Sequence, residues 1–188
     1  MAPQIYLASR SPRRQELLRQ VGVRFEVVDA GVDARREPGQ GPADYAIAMA
    51  LAKARAAPAP RALPVLGADT DVVIDDEILG KPRDRDDALA MLARLADRTH
   101  EVYSGVAVVY GARAETALSV TRVSFGAITP AQAAAYWDSG EPAGKAGAYA
   151  IQGLGARFVR EIHGSYSGVV GLPLHETLAL LARVGVAA

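Results

Sequence analysis

Residues 5–18 read Ile5-Tyr6-Leu7-Ala8-Ser9-Arg10-Ser11-Pro12-Arg13-Arg14-Gln15-Glu16-Leu17-Leu18. Ile5 to Ala8 is a short apolar run suited to a buried strand. Ser11-Pro12 is a helix start, because a serine hydroxyl accepts from free amides and proline loses nothing at the first helical position. The spacing predicts a helix from Pro12 to about Gln20, stopped at Gly22. A strand that feeds straight into a helix is the βα step of a mixed α/β fold.

The rest of the chain repeats and varies that step. Arg24 to Val28 alternates weakly as a second strand, and Asp29 to Pro42, rich in Gly, Pro and charge, is a long connection of the kind that carries function. Asp44 to Ala57 is an alanine-rich helix ended by Pro58 and Pro60. Pro64 to Ile74 reads as a strand interrupted by Asp69 and Asp71, with Asp75 and Asp76 marking a turn, and Asp84 to Ala96 has helical spacing with acids in its first turn. Val102–Val109 and Leu118–Phe125 predict an antiparallel pair joined by a fairly long loop. Thr129-Pro130 opens a fourth helix, Arg157 to Ile162 is a strand, Gly164 to Gly171 a loop, and a last helix starts at Pro173. The pattern predicts an α/β fold with a mixed twisted sheet, flanking helices and a central substrate cleft. Residues 1–188 form a single domain in this reading, with two lobes around the cleft as its variant.

Composition limits the chemistry. The 188 residues hold no cysteine, which removes thiolate nucleophiles, disulfides and cysteine metal sites. His100, His163 and His175 are scattered; His100 and His175 read as helix-end or surface residues. Basic and acidic residues balance at 21 each, so no global field collects DNA or RNA, and at 6% aromatics there are few rings to stack bases. No apolar run is long enough to span a membrane, and the start of the chain has no basic leader, so a cytoplasmic protein is expected. Of the 21 basic residues only three are lysines, Lys53, Lys81 and Lys145.

Two hydroxyls and three guanidiniums stand at the first strand-to-helix junction, a combination suited to phosphate; the plainer alternative is a capped helix with exposed arginines. The glycine-and-lysine pattern of a P-loop is absent. Asp69 and Asp71, two apart on a strand, share a face, and a hard cation such as Mg²⁺ or Mn²⁺ would explain them; two acids ending a strand in solvent is the alternative. Lys81, on the constrained turn Gly80-Lys81-Pro82, is placed to meet the same phosphate or to lie on the surface. Lys53 on its helix either enters a cleft or lies along the surface. Gln152, in a glycine-rich stretch, has a carboxamide able to read a uracil-like ring or to satisfy its own loop.

Taken together, the motifs resemble those of the Maf family of nucleoside triphosphate pyrophosphatases, once described as septum formation inhibitors. The resemblance runs over nearly the whole chain, through Leu7 to Leu18, Gly67-Ala68-Asp69-Thr70, Gly80-Lys81-Pro82, Lys145 to Gly153, and Gly164-Ser165-Tyr166 with Val169 to Pro173. It implies a Maf/ITPase-like fold and hydrolysis of a nucleoside triphosphate to monophosphate and pyrophosphate with a divalent cation. Asp69 then matches the proton acceptor, with Lys53 and Lys81 as its catalytic partners. Arg13, Thr70 and Gln152 match positions tied to base selection, and Ser9 and Arg14 the polar lining of the substrate cleft. That version resembles the branch acting on dTTP and UTP, with non-canonical or modified pyrimidine nucleotides as further substrates.

Many relatives carry Glu where this chain has Ala34, in Gly31-Val32-Asp33-Ala34, so Asp33 joins Asp69 as the expected metal ligand, with Glu37 as its substitute. Asp71 stands where relatives often place an aliphatic residue, either as an added ligand or facing solvent. The expected partner is a nucleoside triphosphate, without stable DNA or RNA binding, and a homodimer is the alternative to a monomer. The rival reading is a non-catalytic nucleotide-binding regulator of cell division.

Overall fold

The first βα step forms as its sequence suggests: β1 (Ile5–Leu7) is wholly buried and runs into α1 (Pro12–Gln20), which opens on proline. The structure, a computed structural model, describes residues 2–32, 39–59 and 62–187; Asp33 and Glu37 lie outside the described residues. After α1 come β2 (Phe25–Val27), α2 (Pro42–Ala56), β3 (Val65–Ile74) and β4 (Glu77–Leu79). They are followed by α3 (Arg85–Leu95), β5 (Thr99–Tyr110), β6 (Arg113–Phe125) and α4 (Pro130–Asp138). The chain closes with β7 (Val159–His163), α5 (Tyr166–Val170) and α6 (Leu174–Arg183). The strands make one seven-stranded mixed sheet in the order β2-β1-β3-β5-β6-β7, with β4 paired to β3. β1 is parallel to β2 and β3, and the remaining pairings are antiparallel.

Local chemistry accounts for most boundaries. Thr129 caps α4 in a reciprocal box with Gln132, as the Thr-Pro start predicts. Asp84 accepts from the Asp87 amide and starts α3. α2 lies flat on the sheet because the sheet offers it glycines: a Cβ at Gly67 would sit 2.1 Å from the Ala50 carbonyl oxygen, and one at Gly105 2.4 Å from that of Ala46. Ala46, Ala50 and Ala54 recur every four residues and form the matching face of the helix. The main apolar core lies around the sheet, with Leu7, Leu18, Leu66, Leu92, Phe125, Leu172 and Leu181 all essentially inaccessible.

Four expectations need correction. The predicted long loop between the runs Val102–Val109 and Leu118–Phe125 is a tight turn, since Tyr110 pairs directly with Arg113; the exposed Ala and Thr positions at the start of β6 hid its strand character. The predicted loop from Gly164 to Gly171 contains α5, a five-residue helix capped by Ser165 through the Gly168 amide at 3.0 Å, too short for periodicity to register. Ser11 does occupy the N-cap of α1, but its hydroxyl makes no capping bond; its amide instead donates to Ser9 Oγ at 3.3 Å. His100 is neither at a helix end nor on the surface. It is buried in β5, with Nε2 2.8 Å from the Tyr149 hydroxyl and its ring edge-on to Phe125.

Candidate active site

The glycine seat under α2 sets the first contact. With Ala50 and Ala54 pressed on β3, the intervening Lys53 is carried over the strand, where Nζ donates to Asp69 Oδ1 at 2.5 Å and reaches the Ala68 carbonyl at 3.5 Å. Both members of the pair are largely withdrawn from water, their side chains 21% and 14% exposed, so their attraction is screened less than that of a surface pair.

A second group is built where β1 ends and α1 begins. Arg14 Nε donates to the Gly171 carbonyl at 2.8 Å, while its terminal nitrogens reach Ser9 Oγ at 3.1 Å and Thr70 Oγ1 at 3.4 Å. Thr70 Oγ1 in turn donates to the Gly171 carbonyl at 3.2 Å. Ser104 Oγ, buried in β5, donates to the Gly168 carbonyl at 2.6 Å and lies 3.3 Å from Thr70 Oγ1. Arg13 Nε donates to the Val170 carbonyl at 3.1 Å. The end of α5 thus holds both arginines by main-chain carbonyls, a role no residue spacing announces because the acceptors carry no side-chain signature.

These groups face one cavity of about 560 Å³. Ser9, Arg13, Arg14, Lys53, Asp69, Thr70, Lys81 and Gln152 all line it, so the structure brings together every described residue named from the sequence as a site residue. Lys145 and Arg10 join them, which makes six cationic side chains against the carboxylates of Asp29 and Asp69 among the described lining residues. Gln152 is exposed, as is Lys81. Ser104 was missed; its only signal is a polar residue inside the apolar part of a strand.

The electrostatics follow from crowding like charges out of water. Burial pushes the Arg14 pKa down and Arg13 adds to this, against the opposing pull of Asp69 and Asp71. Lys145 is also lowered, by burial and then by Arg13, with Lys81 adding further and Glu141 opposing. An anion with several oxygens relieves this repulsion. Asp71 does not face solvent, as one expectation allowed. It is buried on β3, its carboxyl pushed up to about 8 by burial and by the charge of neighbouring Asp69, and its Oδ2 has no hydrogen-bond partner.

A dedicated metal cage is absent among the described residues, where no three of His, Cys, Asp or Glu gather to hold an ion. The donor set does fit a smaller protein share. Asp69, with Asp71 against it and one buried carboxyl oxygen unpaired, is suited to a cation that takes one or two carboxylates and completes its shell with phosphate oxygens and water. Asp33, expected as a second ligand, lies outside the described residues.

Comparison with known proteins adds an independent finding. The sequence model of the family described as "Maf-like protein" matches residues 4–184. A dTTP/UTP pyrophosphatase of Saccharophagus degradans is 53% identical over 182 residues, covering 94% of this chain and 87% of that protein. A dTTP/UTP pyrophosphatase of Bordetella avium is 50% identical over 196 residues, covering 98% and 97%. Among solved structures, a HAM1 protein from Coxiella burnetii aligns with a TM-score of 0.44 and 19% identity, over 66% of this chain and 73% of that one.

Proposed function

The chain belongs to the Maf family, and from that premise and the charge of its cavity we infer that it hydrolyses dTTP and UTP to the nucleoside monophosphate and pyrophosphate. The observation that carries the reading is the concentration of six cationic side chains around one cavity in a protein of zero net charge. A triphosphate carries enough negative charge to engage that cluster, of which Lys53 and Arg10 are already paired with Asp69 and Asp29.

In this reading, Asp69 accepts a proton from a water as the water oxygen bonds to the α-phosphorus, and the bond from that phosphorus to the bridging oxygen breaks, releasing pyrophosphate. Lys53, donating to Asp69 Oδ1, orients the carboxylate and holds its charge in a partly dry setting. Arg14, fixed by Ser9, Thr70 and the Gly171 carbonyl, presents guanidinium edges without having to reorganise, and Lys81 and Lys145, which line the same cavity, neutralise charge on the phosphate oxygens. The Thr70 hydroxyl already serves Arg14 and Gly171, so we assign it to orienting that arginine. Arg13 and the exposed Gln152 carboxamide are left to meet the base.

A Mg²⁺ or Mn²⁺ held by Asp69, with Asp71 or the sequence-expected Asp33 as a further ligand, would supply charge neutralisation of the triphosphate and lower the pKa of a bound water.

Incubation with dTTP, UTP and the other canonical triphosphates, with and without Mg²⁺ or Mn²⁺, tests the reading by its products. Monophosphate and pyrophosphate from the two named substrates are expected. Diphosphate and inorganic phosphate would place cleavage at the γ-phosphate, and binding without products would leave a nucleotide-binding regulator.

A further inference from the structure

Gln152 sits in a short turn, Ala150 to Gly153, closed by the Gly153 amide donating to the Ala150 carbonyl at 3.2 Å. Both ends of that turn lead to the same two side chains, neither of which lines the cavity. On the near side the Ala150 amide donates to the hydroxyl of Tyr136, a buried residue of α4, at 3.0 Å. On the far side Glu141 receives the Leu154 amide on Oε2 at 2.8 Å and the Gly155 amide on Oε1 at 2.9 Å. The circuit is closed by Tyr136, whose hydroxyl donates to Glu141 Oε1 at 2.6 Å.

Two glycines show that the circuit is closely fitted. A Cβ at Gly153 would lie 2.1 Å from Glu141 Oε2, and one at Gly155 2.6 Å from the Tyr136 hydroxyl and 2.7 Å from the Ala150 carbonyl. Neither position has room for a side chain while Glu141 and Tyr136 are in place. The carboxylate is also chemically committed: burial acts to raise its pKa, yet the bonds from Tyr136, Gly155 and Leu154 together hold it below the usual carboxylate range. Glu141 therefore accepts as an anion, and bonds of that type are about twice as strong as neutral ones.

We propose that Tyr136 and Glu141 are positioning residues for base selection, a side-chain strap that pins both ends of the Gln152 turn and so aims its carboxamide at the pyrimidine. The proposal rests on the pyrophosphatase reading and extends it to residues that never touch the substrate. The physical need is clear from exposure. An exposed glutamine carries considerable rotamer freedom, and a turn free to move as well would spread its donor and acceptor over several ångströms, abolishing discrimination between bases. The strap removes the backbone part of that freedom. The phosphate half of the cavity is held by α5 and the Lys53–Asp69 pair; Glu141 reaches it only through its charge acting on Lys145, which Tyr136→Phe leaves in place.

Steady-state kinetics of Glu141→Gln and Tyr136→Phe with UTP and CTP, together with inhibition of each by inorganic tripolyphosphate, test it. Glutamine puts an NH2 against an amide N–H that now meets an oxygen, and phenylalanine leaves the Ala150 amide without its acceptor. For each variant KM for UTP should rise roughly tenfold, the loss of one charge-assisted bond, with a smaller change in kcat. Preference for UTP over CTP should narrow, while tripolyphosphate, which has no base, should inhibit Tyr136→Phe as it does the wild type and Glu141→Gln no more weakly, since that change removes a negative charge near Lys145. Hydrogen exchange at the Leu154 and Gly155 amides should quicken in Glu141→Gln.

A folded variant with wild-type KM and base preference overturns the proposal, as does tripolyphosphate inhibition weakened in step with KM, which would mean general damage to the cavity. If Glu141→Gln does not fold, Tyr136→Phe, which keeps the buried ring, decides alone. A wild type that cleaves neither UTP nor dTTP refutes the activity itself; an active wild type with indifferent variants refutes only the strap.

Discussion

Asp69 is asked to be a base while holding a lysine 2.5 Å from one of its oxygens, so its usefulness depends on orientation more than on basicity. Replacing it with asparagine keeps the shape and removes the proton acceptor. Asp69→Asn should fold with an unchanged far-UV circular dichroism spectrum and lose activity by about two to four orders of magnitude in kcat, the range general-base catalysis supplies. The two lysines should part company under charge-conserving replacement. Lys53 is enclosed between α2 and β3, and a planar guanidinium is wider than an ammonium, so Lys53→Arg should cost at least about tenfold in kcat/KM. Lys81 is exposed at the cavity edge, and Lys81→Arg should lose only a few-fold. Equal effects of the two in pyrophosphate-release kinetics would remove the distinction drawn between an enclosed and a rim lysine. Asp69, Lys81 and Gln152 were legible as candidates in the sequence because their neighbours form motifs, whereas Lys53 stands in an alanine-rich helix and gained its role only through the family resemblance. Ser104, Tyr136 and Glu141 were not legible, because each acts on a main-chain atom that no residue type advertises.

Among the elements, the contact of α2 with the sheet governs the site. Gly67 and Gly105 let the helix backbone come down onto β3 and β5, and the Lys53–Asp69 pair closes only at that separation. Gly67→Ala forces a methyl group against the Ala50 carbonyl, which is backbone and cannot swing aside. Loss of about 3 kcal/mol is expected, seen as a fall of roughly 6–12 °C in Tm for a chain of this length. A thermal melt within a degree or two of the wild type would show that the helix can lift without penalty, and activity should then fall because the Lys53–Asp69 pair opens. The long elements were readable from periodicity and end signals: α2 from its alanines and terminal prolines, α4 from Thr129-Pro130, β3 from its apolar run. α5 was not, since five residues make little more than one turn, and its capping serine looks like any loop serine until the fold closes over it.

Taken over the full chain, the pH dependence of stability has an identifiable contributor. His100 is buried and lowered to about 4 by loss of solvent, whereas in the unfolded chain it titrates near 6.5. The folded form stays neutral while the unfolded form takes up a proton, so the unfolded state binds more protons between those values. Stability is fully present above about pH 6.5 and declines as pH falls toward 4, by about 3 kcal/mol from this group. Asp71, raised to about 8 in the folded protein, contributes in the opposite sense over the same window, so the test is a difference: in urea unfolding at pH 7, 5.5 and 4, stability of His100→Phe relative to the wild type should increase as pH falls, and parallel curves for the two proteins would remove His100 as a contributor. Net charge is likewise a property of the entire chain that conceals its distribution. With 21 basic and 21 acidic residues the sum is zero, yet six cations face one cavity. Local patterning was enough to establish a mixed α/β chain, because strand and helix periods and caps act over a few neighbours, and the motifs that resemble the Maf family pointed to residues that line the cavity. Folding alone settled that α5 carbonyls steady two arginines, that His100 is internal, and that one tyrosine and one glutamate grip both ends of the Gln152 turn. Most of those contacts run through main-chain donors and acceptors, which every residue carries, so only packing determines which ones meet.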